Sequence, residues 1–398
     1  MVATPTRSAC VTSLVWWLLA AAEAAALVVI APRLWRAARG ARRLVTTSSE
    51  VTDLTPTVAG DDTRPAISVV IPARNEAARI ADCLAPLRSA PGVLEVIVVD
   101  DESSDATAQI AEQYGATVVR GAALPAEWVG KAWALQQGVA VAKGDVVVTL
   151  DADARPLTQL PSAARDALLQ SDAHLATVAP RFRCRSQLGR WLHAAMLTSL
   201  VYRHAAGARQ ARRDAVANGQ CMVFRRHDAL RGDWFTAVRS STIEDVALAR
   251  WLVARGKQVE MFDGRDLLVV EMFDSFSDTW RGWGRSLALS TVESRWRQFS
   301  GVLVTALTLV APSLLVVAAL FSRPEAAAPT SMTAASAVLS GMTMVLVAIR
   351  IGTLIGTRRA YERGGLGYWL SPFADLLAWF VVVRGTFFPS REWRGRTY

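Results

Sequence analysis

Val146-Val147-Val148-Thr149-Leu150 runs directly into Asp151-Ala152-Asp153. The short, β-branched apolar run has the character of a strand buried on both faces. The two carboxylates beyond it, one residue apart, are hard oxygen ligands at a strand end. They suit Mg²⁺ or Mn²⁺ in a shell completed by a substrate phosphate. A pair of loop aspartates is also ordinary turn chemistry, so the neighbouring segments decide the reading.

Ile67-Ser68-Val69-Val70-Ile71 is a second β-branched run, expected to stop at Pro72. Ile80, Leu84 and Leu87 fall on one face of a helix over 77–87. Val96-Ile97-Val98-Val99 predicts another strand and ends in Asp100-Asp101; 107–114 predicts a helix, 117–119 a strand and 131–142 a helix. This alternation predicts an α/β domain with a parallel sheet covered on both faces. Ligands of such sheets sit beyond the carboxyl ends of the strands. Pro72-Ala73-Arg74-Asn75-Glu76, Asp100-Asp101 and Asp151-Ala152-Asp153 share that rim. Asp105, just before the 107–114 helix, reads as its N-cap.

Hydrophobic residues make up 52% of the 398, and the mean hydropathy is +0.24. That is more apolar than an ordinary soluble enzyme. Residues 14–30, 299–321 and 333–356 are each near the ~20 apolar residues that cross a bilayer. A fourth stretch, 368–388, is interrupted by Pro372, Asp375 and Arg384 and reads as either a full span or a re-entrant or interfacial helix. Arg33, Arg36, Arg39, Arg42 and Arg43 follow the first stretch and argue for a retained helix with a cytoplasmic C-terminal end. Arg358, Arg359 and Arg363 after the third fall on the same side, while 322–332 faces out. A full fourth crossing would put Arg391, Arg394 and Arg396 outside, against the rule. The expected organisation is an N-terminal span (1–35), a basic segment and linker (36–64), a cytoplasmic α/β domain (65–289) and a C-terminal membrane region (290–398). Within the domain, 188–202 reads as an amphipathic interfacial helix flanked by arginines. Glu23 inside the first span is either functional or paired with Arg350 or Arg384.

The net charge of +9 accompanies arginines clustered beside apolar spans, without the stacking aromatics of an RNA reader. Membrane lipid headgroups are the expected partners, and nucleic acid is not. No protein partner is implied. Cys10, Cys83, Cys184 and Cys221 form no C-x-x-C pair, which fits reduced thiols in a cytoplasmic domain and argues against a zinc or disulfide framework.

The chain resembles the membrane-anchored family-2 glycosyltransferases, inverting enzymes with a GT-A fold. The resemblance rests on Val70–Glu76, Val98–Asp105, Gly130-Lys131, Asp151-Ala152-Asp153, Asn218-Gly219-Gln220-Cys221 and Ile243-Glu244-Asp245, in this order. It covers about 67–289. Within the family the chain is most similar to carotenoid- and hopanoid-associated transferases, and less so to ceramide glucosyltransferases.

That resemblance implies a nucleotide-sugar donor held by Pro72, Arg74, Glu76, Asp100, Asp101, Lys131 and Asp151. Glu76 would accept from ribose hydroxyls and Asp101 from the base. Lys131, one of only three lysines and at a helix start, suits the diphosphate. Asp151 and Asp153 would carry a divalent cation, Mg²⁺ or Mn²⁺, with Asp153 as the direct ligand. Asp245 would be the general base toward an acceptor hydroxyl. Gly219, Gln220, Cys221, Glu244, Trp283 and Arg285 would line the acceptor side. Trp280–Arg285 stands where processive relatives carry Q-x-x-R-W and departs from it, which argues against polymer synthesis. The expected reaction is transfer of glucose from a UDP-sugar to a membrane lipid such as a hydroxylated or carboxylated carotenoid or isoprenoid. Alternatives are a polyprenyl-phosphate or glycerolipid acceptor, and a membrane nucleotide-sugar sensor without activity.

Overall fold

A computed structural model describes residues 7–46, 64–204, 209–210, 215–272, 275–286, 292–321, 330–388, 392–393 and 396–397. The expected linker over 47–63, the turn over 322–329, and Arg391 and Arg394 lie outside these residues. The strands that organise the domain are β1 (Arg42–Arg43), β2 (Ile67–Ala73), β3 (Val93–Asp100), β4 (Thr117–Arg120), β5 (Val146–Leu150), β6 (Ala154–Pro156), β7 (Leu175–Ala179), β8 (Arg181–Arg183), β9 (Arg209–Gln210), β10 (Cys221–Arg225), β11 (Val259–Asp263) and β12 (Leu268–Glu271). The large sheet has the order β1-β11-β7-β10-β5-β2-β3-β4, with β9 on β11; a small sheet has the order β6-β12-β8.

The sheet is mixed α/β rather than wholly parallel. β10 runs antiparallel between β5 and β7, while β2, β3, β4 and β5 are mutually parallel. Apolar strand runs do not report direction, since a strand buried on both faces reads alike either way. Val69, Ile71, Val98 and Val148 enter one core cluster; Val70, Ile97, Val99 and Val147 enter the other. This period of two explains why the runs are apolar at every position. The Gly130–Val141 helix lies close on one face, because a Cβ on Gly138 would come within 2.4 Å of Val70 Cγ1.

Two local expectations are corrected. β2 continues through Pro72 to Ala73; its pairing with β5 ends at Val70, so the missing proline N–H breaks no ladder there. The 77–87 helix is α-helical only over Ile80–Leu84 and continues as a 3₁₀ turn, Ala85–Ser89, with Pro86 at its start.

Three helices are long and apolar enough to cross a membrane: Ser13–Ala38, Arg295–Phe321 and Ala334–Ala360. The second contains a π-helical segment, Ala306–Val310, just before Pro312. The proline has no N–H to give the preceding turn, and a π segment absorbs that mismatch. The fourth stretch is broken into Gly365–Trp369, the 3₁₀ turn Ser371–Ala374 and Asp375–Phe387. The last helix has 13 residues, about 20 Å against a hydrocarbon core of about 30 Å. Arg350 Nε and Nη2 donate to Asp375 at 2.8 and 2.9 Å, both residues being buried. Glu23 accordingly pairs with neither expected arginine; it accepts from Thr343 Oγ1 at 3.4 Å.

The expected interfacial helix is Gln187–His204, and its apolar side is covered by protein. Leu192, Ala195 and Met196 are buried against Trp283, Ala378 and Val381 of the C-terminal helices.

Candidate active site

Because β2, β3 and β5 are parallel neighbours, their C-terminal ends meet on one rim. Two loops there are tied together. Asn75, with a left-handed φ of 54°, accepts from Ser104 N at 2.8 Å through Oδ1. Glu76 N donates to Thr107 Oγ1 at 2.8 Å, and Ala77 N to Asp105 Oδ2 at 3.1 Å. Asp105 Oδ1 also accepts from Thr107 N at 3.0 Å, at the start of the Thr107–Gln113 helix. Arg74 Nη1 donates to the Asp101 carbonyl at 2.5 Å and lies 3.6 Å from Glu102 Oε2. Glu76, Asp100 and Asp101 are all buried, and Asp100 Oδ1 accepts from Ser103 N at 3.2 Å. Pro72 is half-buried in the last turn of pairing between β2 and β3.

The antiparallel β10 completes the rim. Its register sets Cys221 opposite Leu150, so Asn218-Gly219-Gln220 runs beside Asp151, whose N–H donates to the Gln220 carbonyl at 3.2 Å. Gly219 N donates to Asp245 Oδ2 at 2.7 Å, and Val246 N donates to Asp245 Oδ1 at 2.8 Å. Asp245 and Glu244 form the first turn of the Glu244–Ala254 helix. Lys131, in the first turn of Gly130–Val141, places Nζ 2.8 Å from Asp151 Oδ1 and 2.8 Å from Glu244 Oε1. No side chain caps the start of the Lys131 helix.

Burial dominates the electrostatics. It pushes the Glu244 carboxyl up, to about 7, against the opposing Lys131 charge and with the help of Asp245. Burial raises Asp245 as well, with Lys131 and the N–H donors of Val246 and Gly219 opposing it. Burial also raises Asp153 to about 7, reinforced by Asp151 and Glu76 and opposed by Arg79 and Lys131. Lys131 is pulled down by burial, but Asp151, Glu244 and Asp245 outweigh this and hold it well above the ordinary lysine value. It is therefore charged at neutral pH.

Asp153 Oδ1 is buried with no hydrogen-bond partner among the described residues. An orphaned carboxylate oxygen beside Asp151 and Glu76 fits a hard divalent cation. No cluster of three or more His, Cys, Asp or Glu able to hold a metal occurs among the described residues, so a cation here would need oxygens from a ligand.

Two acceptor-side expectations differ from what is observed, and the side chain of a third, Arg285, falls outside the described residues. Cys221 is fully buried in the core beneath the strand end, not on the rim. Trp283 is 7% exposed and stacks edge-on against His193 at 5.1 Å, inside the helical layer. Arg285 belongs to the Phe276–Ser286 helix, and its side chain lies outside the described residues. Arg79 went unnoticed in the sequence; it lies 4.0 Å from Glu76 Oε2, and the i,i+3 spacing was the available signal. The buried set Arg250, Arg203, His204 and Glu293 was also missed. Arg250 Nη2, on the helix of Asp245, donates to Glu293 Oε1 at 2.9 Å, just before the second apolar helix.

Residues 68–232 match the family described as glycosyl transferase family 2. A 4,4'-diaponeurosporenoate glycosyltransferase of Staphylococcus haemolyticus is 26% identical over 239 residues, 57% of this chain and 62% of its own. A protein of the same name from Staphylococcus aureus strain USA300 is 27% identical over 231 residues, 56% of this chain and 61% of its own. The chain thus matches about three fifths of the length of these curated relatives. Among solved structures, the mannosyltransferase PcManGT from Pyrobaculum calidifontis, in complex with GDP-Man and Mn²⁺, superimposes with a TM-score of 0.51 at 20% identity. That likeness of fold covers 94% of this chain and 99% of the other. The strand-end loops, the carboxylates of Asp151 and Asp153, Lys131 and the Asn218–Gln220 turn all lie within the stretch that matches glycosyl transferase family 2, in a domain of GT-A fold.

Proposed function

We propose that this protein is a membrane-anchored inverting glycosyltransferase that moves a sugar from a nucleotide-sugar donor to a lipid acceptor. The carrying observation is Lys131 Nζ at 2.8 Å from both Asp151 and Glu244, which joins the D-x-D strand end to the helix of Asp245. Cation, carboxylates and base thereby share one cluster, as a diphosphate leaving group and an attacking acceptor require.

In this reading Glu76, Asp100, Asp101 and Arg74 hold the nucleoside, and Lys131 with its helix start faces the diphosphate. Asp153 and Asp151 would hold a divalent cation, which when bound would supply positive charge against the leaving diphosphate. Asp245, pushed up by burial, takes the proton of an acceptor hydroxyl. The bond from acceptor oxygen to anomeric carbon forms as the bond to the diphosphate oxygen breaks. That single displacement inverts the anomeric centre. Glucose from a UDP-sugar is the proposed donor group. The three long apolar helices support membrane anchoring, the arginines that follow the first and third support a cytoplasmic domain, and the short Asp375–Phe387 helix supports a returning fourth segment.

A second reading, a carotenoid carboxylate acceptor, is favoured by the name of the staphylococcal relatives. A carboxylate is already a nucleophile at neutral pH and needs no base. Purified protein in lipid, given UDP-glucose, Mn²⁺ and either a hydroxylated or a carboxylated carotenoid, separates the readings by mass spectrometry. Asp153→Ala serves as the blank. Asp245→Asn is expected to lower transfer to the hydroxyl by about 10²–10⁴-fold and to spare transfer to the acid. Undiminished transfer to the hydroxyl by Asp245→Asn would sink the base assignment.

A further inference from the structure

A second charged site lies away from the carboxylate cluster. The Arg7–Ala38 and Thr330–Thr357 helices pack against each other. Each ends where the chain enters basic sequence: Arg42 and Arg43 form β1, and Arg358–Ala360 is a 3₁₀ turn. Between these two ends and the domain is a cleft of about 310 Å³ lined by Arg43, Arg181, Arg265, Arg358 and Arg359. Asp266 and Glu362 also line it, and Arg265 is paired with Asp263 at 2.5 Å.

Those carboxylates are already engaged. Asp266 accepts from Arg43 Nε at 3.0 Å and from Arg181 Nη2 at 2.8 Å. Glu362 accepts from Arg183 at 2.8 and 2.9 Å. Arg181 Nε is buried with no hydrogen-bond partner among the described residues. Arg358 and Arg359 are exposed, and neither forms an ion pair among the described residues. Asp266 thus holds Arg43 and Arg181 in fixed positions while Arg358 and Arg359 face the same space. Several guanidinium forks converging on one cleft match the oxygens of a phosphate group better than a single carboxylate.

We propose that this cleft binds a phosphate-bearing anion, carried by a lipid headgroup at the bilayer surface. The headgroup source rests on the membrane-anchored reading; the phosphate chemistry does not. In the sheet, β11 and β1 are separated from β5 by β7 and β10, so β11 stands roughly 14 Å from the D-x-D strand. An anion here would seat the domain on an anionic surface without entering the donor site.

The test uses the full chain in neutral detergent, titrated with short-chain phosphatidylglycerol, short-chain phosphatidylcholine or inorganic phosphate, read by thermal shift and native mass spectrometry. Phosphatidylglycerol is expected to bind and stabilise, and Arg358→Ala/Arg359→Ala to weaken it roughly thirtyfold, at about one tenfold step or less per arginine. Arg231→Ala/Arg255→Ala, which removes the same charge from the domain's exposed surface, is expected to leave binding unchanged. Equal binding of inorganic phosphate, lost in the same double variant, would keep the phosphate site and assign it to free phosphate. Unchanged phosphatidylglycerol affinity in Arg358→Ala/Arg359→Ala, or an equal loss in the Arg231/Arg255 variant, overturns the proposal. Should the double variant fail to fold, Arg358→Gln and Arg359→Gln singly give the same reading. Flotation with phosphatidylcholine vesicles in high salt tests membrane anchoring separately, because it does not depend on the cleft.

Discussion

Lys131 Nζ stands 2.8 Å from Glu244 Oε1 and is shared with Asp151, so the cation of the donor-binding helix is neutralised by the protein's own carboxylates. In the proposed function, a diphosphate arriving with its cation would compete for Lys131 and Asp151 together. Lys131→Met is expected to lower kcat by about 10²–10³-fold, the scale of losing one preorganised charge at a developing anion. Steady-state turnover and donor titration check this. A variant with ordinary kcat and a raised KM alone would show that Lys131 binds the ground state and the transition state equally.

Gly219 is the residue on which Asp245 rests. A Cβ there would lie 2.9 Å from Asp245 Oδ2 and 3.1 Å from its Cβ. Gly219→Ala is expected to displace the carboxylate and cost roughly 10²-fold in kcat, with about 1–3 kcal/mol of stability. Turnover and denaturant melts measured together separate the two effects. An alanine variant as active as the parent would mean that Asp245 need not sit on this turn.

The raised Glu244 carboxyl makes donor-free stability depend on pH. Its folded value, about 7, exceeds the ordinary 4.5, so the unfolded chain releases this proton first. The contribution is full below about 4.5 and is lost as pH rises through the folded value. Stability is therefore expected to fall between pH 5 and pH 8, with Asp153 acting in the same sense. Glu244→Gln should flatten that slope in melts taken at unit pH steps. A slope that steepens in the variant contradicts the assignment.

Arg350 and Asp375 fasten the fourth apolar segment to the third helix from buried positions, 5% and 1% exposed. Asp375→Ala leaves an arginine buried and unpaired and is expected to cost about 3–5 kcal/mol. Arg350→Met/Asp375→Leu should recover much of that loss, since a packed apolar pair replaces the ions at little cost. Unfolding of the single and double variants in mild detergent tests the pair. Equal losses in both would mean that the ion pair contributes little beyond the space it fills.

The strand ends were legible without any structure because short, continuously apolar runs stopped by acidic clusters announce strands buried on both faces and the rim where ligands gather. The clusters holding Glu76, Asp101, Asp151 and Asp153 were named from such signals, Lys131 and the individual roles came from the family resemblance, and the three long spans followed from length and composition alone. Direction and enclosure were not readable. The reversal of β10, which carries Asn218–Gln220 to Asp151, depends on pairing between segments some 70 positions apart. The burial of Cys221, Trp283 and the Gln187–His204 helix depends on which neighbour covers a face, and a sequence records only that the face is apolar. The same limit holds for charge. Counting arginines located the basic segments near the membrane, but only the packing of the first and third long helices brought Arg43 and Arg359 to one cleft. The fourth segment is the sharpest case: Pro372 and Asp375 marked an interruption, and the tertiary pairing of Asp375 with Arg350 decided what it became, because a buried carboxylate must find its cation wherever the fold supplies one.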